Sequence, residues 1–239
     1  LFAWMDMWES PMPSKAHRWA GALTLPRELT LAADGSVRMN PARELAALRR
    51  ESHTFLAQTL TNQHLPLADD VQELTLTLRP ADNDAERYGL AIGNGARLFV
   101  DNQAHRLVLE RFHDNPALCT CRSVPLPEGD TLSLQIFIDR SSLEIFVNQG
   151  QACLTSRIYP TAGERHLSLF AEGGRAQFEP ITGWRLASIW GQWERAPGAQ
   201  RRTRCAYSEP RSNSGQGTFT VSRCSRCSIT CSAARRPSS

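Results

Sequence analysis

The sequence predicts an all-β chain, and three observations carry that prediction. Apolar and polar residues alternate strictly at Leu74-Thr75-Leu76-Thr77-Leu78, the period of a strand with one buried face. Short runs of this kind recur at roughly 8–12-residue spacing, the rhythm of a sandwich or barrel. Turn-forming residues, Asp34-Gly35, Gly93-Asn94-Gly95 and Gly173-Gly174, punctuate them.

Taken in order, the chain begins inside a strand-like run, Leu1-Phe2-Ala3-Trp4-Met5, so it reads as a processed or partial product. Asp34-Gly35 predicts a hairpin between Leu29-Thr30-Leu31 and Val37-Arg38-Met39. Residues 41–50 read as a short helix. Asn40 can cap it, Pro41 suits its first position, and Leu45 and Leu48 share one face. A lone helix between β regions is a natural connector. The expected domains are therefore 1–40, the end of one β domain; 41–51, a helical linker; and 52–190, a β-sandwich. Within the sandwich the predicted strands are Leu74–Leu78, Tyr88–Ile92, Arg97–Val100, Arg106–Glu110, Leu132–Ile138, Leu143–Val147, Cys153–Ile158 and Leu167–Ala171.

Residues 191–239 are a different material. They hold no Leu, Lys or Asp, and their nine Arg against two Glu give +7. With a net charge of +3 for the whole chain, residues 1–190 carry +3 − 7 = −4. A Ser-, Arg-, Gly- and Pro-rich stretch without apolar period buries too little surface to offset its ordering entropy, so this tail is expected to be disordered. It reads either as a natural tail or as a shifted-frame or vector-encoded extension. Its Cys224, Cys227 and Cys231 have partial zinc-ligand spacing, but a fourth ligand would be the distant Cys205, and the tail has no His. The six histidines show no metal or triad spacing. Cys119, Cys121 and Cys153 cannot all pair with one another, which favours a reducing compartment. No apolar run approaches the ~20 residues of a membrane helix, and the arginines of the tail lack interleaved aromatics. Neither a membrane nor a specific nucleic acid is expected as a partner.

The sharpest motif is Phe137-Ile138-Asp139-Arg140-Ser141-Ser142-Leu143-Glu144-Ile145-Phe146-Val147-Asn148, with Leu154–Pro160 after it. Physically it is a hairpin. Leu134, Ile136 and Ile138 share one face, residues 139–142 turn, and Leu143, Ile145 and Val147 continue that face. The motif resembles the C-terminal sandwich signature of glycoside hydrolase family 32, the family of invertases, sucrose-6-phosphate hydrolases and fructan hydrolases. Trp4-Met5-Asp6-Met7-Trp8 and Trp19–Leu29 resemble the last blade of that family's five-bladed propeller. The resemblance covers about residues 1–190. It implies a last propeller blade followed by a β-sandwich, and a retaining hydrolase of sucrose or sucrose 6-phosphate that uses neither cofactor nor metal. The likeness of residues 19–29 to bacterial intracellular enzymes implies a cytoplasmic location.

Retention requires a nucleophilic carboxylate and an acid/base carboxyl about 5–5.5 Å apart. The family's motifs for these, of the types Trp-Met-Asn-Asp-Pro-Asn-Gly, Arg-Asp-Pro and Glu-Cys, are absent from this sequence. The resemblance therefore implies no catalytic residue in this chain and an inactive fragment. Asp6 lacks the Asp-Pro-Asn-Gly continuation of the nucleophile. Trp8 aligns with a tryptophan lining the fructosyl pocket, where an indole packs on a sugar's apolar face; the plainer reading is a core tryptophan between blades. Trp4 reads as core, and Trp19 as core or pocket rim. Arg27 and Glu28, on opposite strand faces, read as structural at the junction of the two domains. The alternative function is a non-catalytic carbohydrate-binding sandwich module.

Overall fold

Alternation at Leu74–Leu78 becomes a strand because each leucine finds an apolar partner across the sheet. A computed structural model describes residues 1–67, 71–161 and 163–189; the expectation of a disordered 191–239 lies outside the described residues, as do Trp190 and the tail cysteines. The described chain is all-β, with antiparallel pairing throughout. Its strands are β1 (Arg27–Leu31), β2 (Val37–Pro41), β3 (Arg49–Phe55), β4 (Gln58–Pro66), β5 (Glu73–Leu78), β6 (Arg87–Ile92), β7 (Ala96–Asp101), β8 (Arg106–Arg111), β9 (Thr120–Pro125), β10 (Leu132–Ile138), β11 (Ser142–Val147), β12 (Ala152–Arg157), β13 (Leu167–Phe178) and β14 (Ile181–Leu186). They form a two-stranded β1–β2 sheet and two six-stranded sheets, ordered β12-β11-β10-β5-β14-β3 and β4-β13-β6-β7-β8-β9. No helix among the described residues is long and apolar enough to cross a membrane.

The register explains the core. Ile136 faces Leu74 on one side and Ile145 on the other, while Leu134 faces Leu76 and Val147. These side chains join Leu90, Ile92, Leu98, Val100, Leu107, Leu109, Leu167 and Leu169 from the other large sheet in one buried cluster. All eight predicted strands are present, most one residue longer at an end. β13 is the exception: it runs on through Gly173-Gly174 to Phe178, so the predicted turn is instead a bulge between Ala171 and Arg175 within one strand. Both glycines take positive φ there, the conformation a bulge demands.

Four strands escape prediction: β3, β4, β9 and β14. Three of them are sheet edges. An edge strand with an exposed face keeps polar residues to resist further pairing, which erases the alternation that marks buried strands. β14 is interior but carries Gly183, beside which an added Cβ would lie 2.8 Å from the Val71 side chain.

The helix expected over 41–50 is a correction. Pro41 ends β2, Arg43–Leu48 is a six-residue 3-10 helix, and Arg49 already opens β3. Asn40 caps nothing; the residue before the turn is Ala42, with no side-chain cap. The two flanking strands leave too few residues for an α-helix, and a 3-10 turn still places Leu45 and Leu48 on one side, half-buried. β3 therefore starts three residues before the expected boundary at 52.

Arg49 fastens this new edge. Its Nε and Nη2 donate to the two oxygens of buried Glu73 at 2.9 and 2.6 Å, and its guanidinium lies 4.0 Å from the Trp184 ring centre. Glu73 also accepts from Gln135 Nε2 at 2.8 Å. The bidentate bond to Glu73 holds the Arg49 pKa above its ordinary value, against burial. Arg49→Ala should leave that carboxylate buried with only Gln135 as a donor, and lower stability by about 2–4 kcal/mol in urea titration, while Arg49→Lys should recover only part because it cannot form the two-pronged contact.

Candidate functional site

Residues 1–26 form a ladder and a loop displayed on the two-sheet body. Met5 N–H donates to Ala22 C=O at 2.7 Å and Thr24 N–H to Ala3 C=O at 2.8 Å, while Trp4 and Leu23 form a bridge. Between these arms the chain loops out. Lys15 Nζ closes the loop by donating to the carbonyls of Trp8 and Ser10 at 2.8 and 2.7 Å. The chain returns through Arg18, at φ 63°, and Gly21, at φ 79°. Gly21 is required twice: by its φ and because a Cβ would sit 2.4 Å from Trp4 Nε1.

This segment carries three exposed tryptophans. Trp8 stands at the tip, 84% exposed, and its ring lies 5.3 Å from that of Trp4. Trp4, expected in the core, is 48% exposed: one side packs on Gly21 and Trp8 and the other faces solvent. Trp19 is exposed to a similar degree and stacks 5.2 Å from the guanidinium of Arg157. Asp6 is half-buried, and its Oδ1 accepts Met7 N–H at 2.7 Å. Arg157, at the end of β12, is itself buried and donates to the Ser141 carbonyl at 2.8 Å and hydroxyl at 3.1 Å. Next to it Tyr159 has its phenol pushed up by burial, with Arg157 and Arg111 opposing and Asp6 reinforcing, so it stays neutral.

The ladder is fixed to the body by an ion pair that sequence reading left out. Glu144 on β11 is buried; its Oε1 accepts Leu25 N–H at 2.8 Å and its Oε2 accepts from Arg27 Nη2 at 2.6 Å. Arg27 Nη2 also donates to Thr155 Oγ1 at 2.7 Å, and its guanidinium lies 5.3 Å from the Phe146 ring centre. Glu28 points the other way, 3.8 Å from Arg43, as alternation requires. The only hint of Glu144 in the sequence was a charge inside an otherwise apolar run. Beside this pair Cys153 donates its thiol to Met39 C=O at 3.2 Å, and burial raises its pKa, with Arg27 opposing. The thiolate is the reactive form, so iodoacetamide should label exposed Cys119 and Cys121 well ahead of Cys153, as read by peptide mass spectrometry.

Two grooves lie elsewhere on the body. One, of about 360 Å³, is lined by Arg79, Asp82, Asn83, Gln177 and Glu179 among others. Two of its polar groups are already paired: Arg79 Nε donates to Glu179 Oε1 at 2.6 Å, and Asn83 Oδ1 accepts Gln177 N–H at 2.7 Å. The other, of about 420 Å³, is apolar at Val124, Leu126, Val147 and Ala152. Neither has an exposed aromatic platform. Among the described residues no group of three or more His, Cys, Asp or Glu could hold a metal ion.

Comparison with known proteins divides the chain just after β2. Residues 1–41 match the N-terminal domain of glycosyl hydrolases family 32, and residues 44–185 match that family's C-terminal region. Over 188 residues, 78% of the chain, the sequence is 45% identical to a sucrose-6-phosphate hydrolase and 46% identical to a raffinose invertase, both of Escherichia coli. The chain spans 39% of the length of each. The fold is similar to that of an Aspergillus awamori exo-inulinase, with TM-score 0.65 and 21% identity over 79% of this chain and 40% of that one.

Proposed function

The chain belongs to glycosyl hydrolase family 32, and on that premise we propose that it is the C-terminal portion of a retaining β-fructofuranosidase cleaving sucrose or sucrose 6-phosphate. The observation that carries this reading is the meeting of the two family matches at residues 41 and 44, across the junction held by Arg27 and Glu144. In this reading residues 1–41 are the last blade of the catalytic propeller and the two large sheets are the family's C-terminal sandwich. Trp8, held at the loop tip, faces the fructosyl group and packs on its apolar side. The nucleophile and acid/base belong to the remainder of the N-terminal domain. The parent enzyme works without cofactor or metal, and the odd set of unpaired thiols in the body supports a cytoplasmic location. A stand-alone carbohydrate-binding module finds less support, since the body grooves offer no aromatic platform and Arg79 and Asn83 in the polar one are already bonded.

The test is a fusion of the E. coli sucrose-6-phosphate hydrolase segment that precedes its match with residues 1–189 of this chain. The fusion is expected to hydrolyse sucrose 6-phosphate or sucrose, and the 239-residue chain alone to hydrolyse neither. An inactive, folded fusion would refute the reading. In the active fusion, Trp8→Ala should lower kcat/KM by about ten- to hundredfold, the loss of one well-packed aromatic contact, without changing the melting temperature because the side chain is exposed.

A further inference from the structure

Two nucleophilic side chains of the body take no part in the proposed hydrolysis. Cys119 and Cys121 are both exposed, with Thr120 between them. Cys121 lies on β9, the outer strand of its sheet, with Glu110 of β8 as its register partner. Cys119 lies one residue before the strand and is already extended, at φ −70° and ψ 132°. Residues i and i+2 of an extended chain project to one face, so the two thiols stand side by side. Both backbones are fixed without a ligand. The ladder to β8 holds Cys121. Cys119 N–H donates to Pro116 C=O at 3.0 Å, closing a short 3-10 turn whose Ala117 N–H is capped by Asn115 Oδ1 at 3.0 Å. The Cys119 thiol donates to His113 C=O at 3.3 Å.

The spacing decides what this pair can do. At a strand's rise of about 3.3 Å per residue, the two Cβ atoms stand about 6.6 Å apart, whereas a disulfide needs about 3.5–4.5 Å. Joining the sulfurs directly would lift β9 away from β8. A bridging ion requires no such movement. With metal–thiolate bonds of about 2.3 Å, two sulfurs in line with one ion lie about 4.6 Å apart, within reach of side chains leaning together. The ligand count then selects the ion. Among the described residues no group of three or more His, Cys, Asp or Glu could hold a metal, so the four ligands of a structural zinc are not assembled. Thiolates are soft and select Cu(I), which two of them satisfy. Charge is also provided for. Arg122 follows Cys121 in the strand, and the Arg111 guanidinium is near enough to interact electrostatically with both Cys119 and Arg122. We infer that Cys119 and Cys121 form a two-thiolate site for Cu(I). Binding releases the two thiol protons and leaves copper and sulfur at their oxidation states, so neither oxidant nor reductant is consumed.

The test uses the 239-residue protein, with Cu(I) supplied anaerobically as its bicinchoninate complex in excess over all seven cysteines. Iodoacetamide labelling is read peptide by peptide in the mass spectrometer. Labelling of Cys119 and Cys121 should slow together, by about tenfold once free Cu(I) exceeds the dissociation constant about tenfold. Cys119→Ser should return Cys121 to its metal-free rate, and Cys121→Ser should do the same for Cys119. Both side chains are exposed, so neither substitution should move the melting temperature. Zn(II) at the same free concentration should protect neither thiol. If the thiol left in a single variant stays as protected as in the parent, the ion binds one sulfur at a time and the inference is overturned. Unchanged labelling with Cu(I) in excess overturns it as well. So does a peptide lighter by two hydrogens after oxidised glutathione alone, since the sulfurs would then close on each other across a gap the strand is expected to hold open.

Discussion

Glu144→Ala is expected to destabilise the protein by about 3–5 kcal/mol, the range for removing one partner of a buried ion pair. The reason is local. Glu144 is the common acceptor for Arg27 Nη2 and Leu25 N–H, and both donors come from the segment that precedes the body. Without the carboxylate, Arg27 keeps only Thr155 and the Met39 sulfur as side-chain hydrogen-bond acceptors while remaining buried. The loss should be confined in space. Limited proteolysis of the variant should clip residues 1–40 early, while the two large sheets persist, since their shared cluster contains no residue of that segment. Arg27→Met combined with Glu144→Leu removes both charges at once and should recover much of the loss, because no charge is then left buried without its partner. A double variant no more stable than Glu144→Ala would show that the hydrogen bonds, rather than the unpaired charge, dominate the junction.

Phe170→Ala is expected to cost about 3–5 kcal/mol, as large as any core truncation in this protein. Alternation along β13 puts Leu167, Leu169 and Ala171 on the inner face and Phe170 on the outer one. Yet Phe170 is fully buried. The Arg97 guanidinium lies 4.0 Å from its ring centre, His64 stacks at 5.5 Å, and Phe99 packs edge-on at 6.2 Å. These neighbours, with Ala91 and Val108, make a second apolar cluster on the outside of the sheet, roofed by charged side chains. Arg97 is held over it by Glu172 at 2.7 Å. Removing the ring forfeits both the apolar burial and the surface on which Arg97 rests. Phe170→Leu, which keeps most of the volume, should cost only about 1 kcal/mol. Urea unfolding monitored by circular dichroism distinguishes the two outcomes.

Trp8, the residue proposed to contact the sugar, was legible only through likeness to a family. Nothing in its spacing separates it from a core tryptophan. Its exposed position depends on the Lys15 bridge to its own carbonyl and on the return of the chain through Gly21, contacts between residues seven to seventeen apart. The same holds for Arg157, whose place under Trp19 joins residues far apart in the chain.

What the sequence determined by itself was local. Strict alternation marked the strands with one face in the main core, and Asp34-Gly35 marked the β1–β2 turn, where Asp34 accepts from both the N–H and hydroxyl of Ser36. Those bonds hold the Asp34 carboxyl below the ordinary aspartate pKa. The small stabilisation they give is present above the unfolded pKa and is lost as pH falls through the folded one, which an NMR titration would follow. Tertiary structure alone decided the second faces. The β10–β11 hairpin is buried on both sides, because Phe137, Glu144 and Phe146 face away from the main core and Glu144 and Phe146 lie under Arg27. A charge in an apolar strand, a phenylalanine on an outer face and a polar edge strand all break the two-residue period for one physical reason. Each is satisfied by a partner distant in sequence, and a local pattern carries no record of that partner.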